Sequence, residues 1–177
     1  MIASTLRWAI DRWRIHRDPV GWARSQGVTV GERCRLLGID RGTFGSEPYL
    51  VRIGDHVTVT GGVRFVTHDG GVWVFRDEFP DIDVIAPIVI GSNVFVGLGS
   101  ILMPGAEVGD NTVIGAGSVV VGSVPADCVA VGVPARPLRS RDEYRERVLP
   151  DAFHIRSMSP EEKRRHLVEH FQSVLED

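Results

Sequence analysis

The sequence predicts an all-β solenoid, a parallel β-helix built from very short strands, and three observations carry that prediction. Stepping by six from Ile90 meets Val96, Leu102, Val108, Ile114 and Val120, an unbroken series of branched aliphatics. The residue after each is Gly91, Gly97, Met103, Gly109, Gly115 and Val121. Four residues after each aliphatic stand Val94, Ser100, Ala106, Thr112, Ser118 and Val124, all small or β-branched. With Ile, Leu or Val at roughly one position in four, six in a row arises by chance about once in several thousand registers.

A period of six excludes the common alternatives. It does not track a 3.6-residue helical turn, and glycine interrupts any alternating strand every few residues. A short-coil β-helix accommodates it. Each unit supplies one flat strand that points its aliphatic inward and then turns a corner. Glycine beside the corner is expected to take backbone angles that strain other residues. Three units close a triangular coil of about 18 residues, and successive coils stack by parallel pairing.

The phase extends upstream through Ile53, Val59 and Phe65, with Val57 and Val63 at the small position. Val84 is in phase with Ile90, whereas Phe65 plus six is Gly71, which leaves 13 surplus residues. The sequence therefore predicts an excursion at 71–83, GVWVFRDEFPDID, projecting from the prism. Val30-Gly31 with Cys34 opens a looser, earlier coil that includes Phe44 to Tyr49. The expected organisation is an N-terminal helical segment at 1–27, the β-helix at 28–139 and a C-terminal helical extension at 140–177.

At the N-terminal end, Leu6, Ala9, Ile10 and Trp13 form one helical stripe within Ser4–Arg17, with arginines opposite. That stripe is expected to pack on the open end of the prism, where unpaired strand edges need cover. At the other end, Ser140 with Glu143 has the capping-box pattern, and Ser159, Pro160 and Glu162 open a second helix. Leu167, Val168, Phe171, Val174 and Leu175 lie on one face of it.

Bulk properties narrow the function. The 177 residues carry a net charge of −3 with 24% charged residues, which gives no electrostatic case for nucleic acid. No apolar stretch reaches the roughly 20 residues needed to span a bilayer, so no stable membrane insertion is expected. Arg7, Arg12 and Arg14 are scattered among apolar residues, which is not the order of a secretion signal. Cys34 and Cys128 lack metal or redox spacing and read as thiols of a reduced, cytoplasmic protein.

The segments GSEPYLVRIGDHVTV at 45–59, THDGG at 67–71, IGSNVFVGLGSILMPGAEVGDNTVIGAGSVV at 90–120 and VAVGVPARPL at 129–138 together resemble the hexapeptide-repeat acetyltransferases. The last two are specific to the family in combination, and the first two are most similar to its capsular-polysaccharide and lipopolysaccharide O-acetyltransferases, and more distantly to the maltose and galactoside acetyltransferases. The resemblance implies left-handed coiling, a homotrimer, and acetyl-CoA bound in a groove between subunits. It also implies a saccharide acceptor and no metal.

His68 stands where that family places its catalytic histidine. Transfer from a thioester requires a proton to leave a hydroxyl or amine as it attacks, and neutral imidazole suits that work near pH 7. Asp69 is a candidate to orient the imidazole, provided the chain turns there, since neighbours on a strand point opposite ways. Glu47 and Asp40 fall where the family carries polar contacts to its acceptor. Gly97, Gly99, Gly115, Ala116 and Gly117 offer a surface of small residues for the pantetheine arm. Arg136 and Arg139, after the GVPA turn, match arginines that meet the nucleotide phosphates, for which a guanidinium fork is well shaped. The chain departs from many relatives at Val121-Gly122, where they carry Thr-Lys.

Three rivals share the architecture. A γ-class carbonic anhydrase needs three zinc-binding histidines, and the coils hold only His56 and His68, on different faces. A nucleotide-sugar N-acetyltransferase needs the same base as an O-acetyltransferase. A non-catalytic scaffold is compatible with Val121-Gly122 but leaves His68 and Arg136 unexplained. The 71–83 excursion and THDGG also fit a serine acetyltransferase poorly.

Overall fold

In a computed structural model, which describes residues 2–176 and the side chains of residues 8 and 10–176, the chain divides into two units, 1–144 and 145–177. The first unit is a parallel β-helix with three faces. One face stacks β1 (Thr29–Val30), β3 (Val51–Ile53), β8 (Ile88–Ile90), β11 (Glu107–Val108) and β14 (Ser123–Val124). The second stacks β2 (Arg35–Leu36), β4 (Thr58–Val59), β9 (Phe95–Val96), β12 (Val113–Ile114) and β15 (Cys128–Gly132), closed by β16 (Ala135–Ser140), which pairs antiparallel to β15. The third holds β5 (Arg64–Phe65), β10 (Ile101–Leu102) and β13 (Val119–Val120).

The six-residue series is the core. Ile53, Val59, Phe65, Ile90, Val96, Leu102, Ile114 and Val120 are each at most 1% exposed. Burying such a side chain contributes about 1.5–3 kcal/mol. Ser100, Thr112 and Ser118 are also buried, and each is bonded to a neighbouring coil: Ser100 Oγ to Gly115 O at 3.0 Å, Thr112 Oγ1 to Pro125 O at 3.1 Å, and Ser118 Oγ from Gly132 N at 3.1 Å. Their hydroxyls are satisfied, so the interior tolerates them.

Gly62, Gly99, Gly105, Gly117 and Gly122 take the expected left-handed angles, with φ of 67° to 78°, but the glycines that follow the aliphatics do not. Left-handed angles at one corner belong to Arg33, His56, Asn93, Asn111 and Asp127, with φ of 54° to 56°. The last four side chains form a ladder there: His56 Nδ1 lies 2.9 Å from Asn93 Oδ1, Asn93 Nδ2 donates to Asn111 Oδ1 at 2.8 Å, and Asn111 Nδ2 to Asp127 Oδ1 at 3.0 Å. Gly91, Gly97, Gly109 and Gly115 instead lie where the next coil presses closest. A Cβ at Gly97 would meet Ala116 N at 2.5 Å and Ile114 O at 2.7 Å.

Three further expectations are corrected. Val84 is not a core position: Ile53 pairs with Ile90, 37 residues on, against 18 for Ile90 with Val108, so the excursion adds 19 residues rather than 13. Val84 is exposed on the excursion itself. Val124 is not a small-position residue; it stacks on Val108, because the chain shortens by two residues at Val121-Gly122. The described residues of the helical stripe, Ile10 and Trp13, do not cover the prism. In α1 (Ile2–Arg17) Ile10 and Trp13 are exposed, Leu6 and Ala9 lie outside the described side chains, and the contacts run through Ile15 and an Asp11–Arg41 ion pair at 3.3 Å. The end is sealed by α2 (Pro19–Ser25), which buries Trp22 and Ala23 and which the stripe argument did not foresee.

Helix α3 (Arg141–Val148) begins at the Ser140/Glu143 box, with Glu143 N donating to Ser140 Oγ at 3.1 Å and Ser140 N to Glu143 Oε2 at 2.7 Å. The second unit contains α4 (Pro160–His170), opened by the Ser159/Glu162 box, and α5 (Gln172–Leu175). The expected single apolar face is broken, because α4 ends at Phe171 and Val174 and Leu175 follow in a separate turn, exposed. No helix of the described residues is long and apolar enough to cross a membrane.

Candidate active site

The site begins where the chain leaves the prism. β5 runs up the third face, Thr67 is buried, and then β6 (His68–Asp69) pairs antiparallel with β7 (Val84–Ile85), His68 opposite Ile85 and Asp69 opposite Val84. Ala86 N donates to Thr67 O at 3.0 Å and closes the base of this arm. Between the strands, Gly70–Phe75 makes a 3-10 turn. Trp73, Val74, Phe75 and Phe79 are all more than half exposed along the arm.

His68 has a side chain 34% exposed, and its Nε2 lies 3.2 Å from Asp83 Oδ1. Asp83 also accepts from Arg76 Nη2 at 2.5 Å, and Arg76 Nη1 donates to Pro80 O at 3.0 Å. Asp69 does not serve the imidazole. Its carboxylate caps the 3-10 turn, accepting from Gly71 N at 2.9 Å, because the strand direction turns it from His68.

Glu47 and Asp40 both support the strand that leads to His68. Glu47 Oε2 accepts from Thr67 Oγ1 at 2.7 Å and from Ser46 Oγ at 3.0 Å. Asp40 takes a two-point contact from Arg64, at 2.7 and 2.8 Å, and also accepts from Gly42 N. The Arg64 hydrogen bonds hold the Asp40 carboxyl below the usual carboxylate range, and Asp40 raises Arg64 in turn.

The small residues divide. Gly97 is buried against the next coil, and a Cβ on Gly115 would meet Val131 Cγ1 at 2.7 Å, so neither forms an open surface. Gly99, Ala116 and Gly117 are exposed at one corner, and Cβ atoms on Gly99 or Gly117 would meet nothing within 4 Å. Arg136 and Arg139 lie on β16, with Arg136 exposed and its Nη1 on Ala135 O at 2.8 Å. A cleft of about 770 Å³ opens between α1 and the first coil and is lined by Trp8, Arg12 and Leu37 among others, with none of the site residues. Among the described residues no cluster of three or more His, Cys, Asp or Glu side chains is placed to hold a metal ion.

Comparison with known proteins agrees with this architecture. The family described as bacterial transferase hexapeptide (six repeats) matches residues 87–122. CapG of Staphylococcus aureus is 48% identical over 149 residues, covering 84% of this chain and 87% of CapG. Galactoside O-acetyltransferase of Escherichia coli K12 is 37% identical over 102 residues, 55% of this chain and 49% of that enzyme. A Vibrio cholerae hexapeptide-repeat acetyltransferase solved with acetyl coenzyme A superposes with a TM-score of 0.55 at 23% identity, covering 75% of this chain and 84% of that one.

Proposed function

This chain belongs to the hexapeptide-repeat transferases, and from that membership we propose that it moves an acetyl group from acetyl-CoA to a saccharide hydroxyl, with His68 as general base. It is a CoA-dependent O-acetyltransferase. The observation that carries the role of His68 is its place: a half-exposed imidazole at the root of an apolar arm, where the repeat breaks.

His68 takes the proton of the acceptor hydroxyl as that oxygen attacks the thioester carbonyl. As the carbon–sulfur bond breaks, the imidazolium returns the proton to the departing thiolate. No covalent enzyme intermediate is needed when both substrates are bound together. Gly99, Ala116 and Gly117 supply the open corner for the amide-rich pantetheine arm, and Arg136 and Arg139 the cations for its phosphates. The shortened corner at Val121-Gly122 removes a cation and a hydroxyl from that region relative to many family members.

The coils wind left-handed, and three chains assemble so that the CoA groove lies between neighbours. Support comes from Leu98, Val121 and Leu138, apolar residues each more than half exposed. The arm shapes the acceptor pocket, its aromatics suited to the apolar face of a sugar ring. A thiol-release assay with acetyl-CoA against methyl galactoside, maltose and UDP-N-acetylglucosamine tests the reaction. His68→Ala should lose at least ~10²-fold in transfer with an unchanged melting temperature. A folded variant with full transfer activity removes His68 from the mechanism.

A further inference from the structure

We propose that Asp83, held by Arg76, is the positioning residue for His68, keeping the imidazole hydrogen on Nε2 and leaving Nδ1 as the basic nitrogen. The proposal rests on the reading of His68 as the base and adds which nitrogen acts and what fixes it.

An ionised carboxylate only accepts hydrogen bonds, and neutral imidazole has one donor nitrogen and one acceptor nitrogen. The Asp83 Oδ1 contact to Nε2 at 3.2 Å is favourable only with the hydrogen on Nε2. The free lone pair then lies on Nδ1. Asp83 is not a loose surface acid that drifts into range. It directly precedes β7, whose pairing sets Ile85 opposite His68, and Ala86 N is tied to Thr67 O. From the other side Arg76 grips the same Oδ1 at 2.5 Å while its Nη1 ties down Pro80 O, so the guanidinium fastens both the carboxylate and the chain leading to it. Arg76 and Asp83 both come from the arm, which thereby becomes part of the proton-transfer apparatus as well as a wall for the acceptor.

The proton balance is complete with these groups. The acceptor O–H gives its proton to Nδ1 as its oxygen bonds to the carbonyl carbon. The resulting imidazolium has N–H on both nitrogens, the Nε2–H facing Asp83. Nδ1 then releases the proton to the sulfur as the C–S bond breaks. Asp83 never gains a proton; it holds the ring and offsets the transient charge, as the acid of a triad does.

Two measurements test this. Nitrogen-15 shifts of labelled His68 in the full chain at neutral pH should show a protonated Nε2 and a bare Nδ1, and Asp83→Ala should turn that into a mixture. In thiol release with acetyl-CoA and the best acceptor of the panel above, Asp83→Ala should lower kcat about 10- to 10³-fold, leave KM for acetyl-CoA within about twofold, and be partly rescued by Asp83→Glu. Protonated Nδ1 in the unaltered protein, or full kcat in a folded Asp83→Ala variant, overturns the proposal. His68→Ala separates the two ideas. If that variant still transfers acetyl, the base reading and the catalytic part of this proposal fall together, whatever the shifts show. If it is dead while Asp83→Ala is fully active, only the positioning role falls.

Discussion

Replacing Gly97 with Ala is the sharpest test of how the coils are held together. The added Cβ would stand 2.5 Å from Ala116 N and 2.7 Å from both Gly115 C and Ile114 O, all backbone atoms of the next coil. Ordinary contact begins near 3.4 Å, so the two coils must part locally by something approaching an ångström. Gly97 N donates to Ile114 O at 2.8 Å, and Gly115 N to Ala130 O at 2.9 Å, so that parting strains a ladder continuing into the following coil. Overpacking costs about 1–3 kcal/mol, and each weakened hydrogen bond adds about 1 kcal/mol. A total of about 2–4 kcal/mol should lower Tm by roughly 4–16 °C at 2–4 °C per kcal/mol. Gly99→Ala is the control. Its φ of +67° strains an L-residue, yet nothing lies within 4 Å, so only the conformational cost of about 1–2 kcal/mol applies. Thermal melts followed by circular dichroism should rank Gly97→Ala well below Gly99→Ala. Equal melting temperatures would refute the close-stacking argument. So would an unchanged Tm for Gly97→Ala.

Replacing Arg136 and Arg139 together with Ala should raise the dissociation constant for CoA by calorimetry, with a smaller effect on a pantetheine donor lacking the nucleotide; equal weakening of both would exclude phosphate binding. Arg64→Met should release Asp40 to titrate in the ordinary range. Asp40 is lowered in the folded chain, so its stabilisation is complete above its usual pKa of 3.8 and is lost as pH falls through the lowered value. Melts at pH 7 should therefore show a gap to the parent protein that narrows below about pH 4; both side chains are over 40% exposed, so the gap is below ~1 kcal/mol. In the arm, Trp73, Phe75 and Phe79 changed to Ser, with Arg76 and Asp83 kept, should raise KM for the acceptor while CoA binding stays intact; unchanged acceptor kinetics would reduce the aromatics to surface cover.

The repeat was legible because burial repeats with it. A six-residue period reports which side chain points inward, and that is why Ile90 through Val120 all lie in the core. What the period does not report is which residues are spare. Val84 is apolar and in phase with Ile90, but phase is shared by any residue a multiple of six away, and the pairing that removes it from the core is an antiparallel contact with Asp69, 15 residues back. The glycines that follow the aliphatics were misassigned for a related reason. A glycine in sequence shows that a Cβ is unwelcome, not whether the obstacle is a backbone angle, as at Gly99, or a neighbouring coil, as at Gly97. The THDGG motif makes His68 a candidate in the sequence. Its contact with Asp83 was not legible there, because only the fold of the arm brings the two together; the available signal was the cluster of acids in a long insertion.

The departures from the repeat fall at one place in the prism. Leu36 and Val59 pair 23 residues apart, so the first coil has five more than the regular 18, and Phe44, which stacks on Phe65 with ring centroids 5.2 Å apart, lies within that stretch. The second coil's extra 19 all fall between Phe65 and Ile88, since Arg64 still pairs with Ile101 and Val51 with Ile88. Both surpluses therefore touch the corner between the third face and the first. From the lower one Glu47 reaches Thr67, and from the upper one Asp83 reaches His68. At a regular corner the partners of an exposed imidazole come from the stacked coils, as Asn93 does for His56. A corner released from that stacking can surround an imidazole with partners from its own segment, as Asp83 does for His68. The repeat supplies the rigid frame, and the candidate site lies where the frame is interrupted.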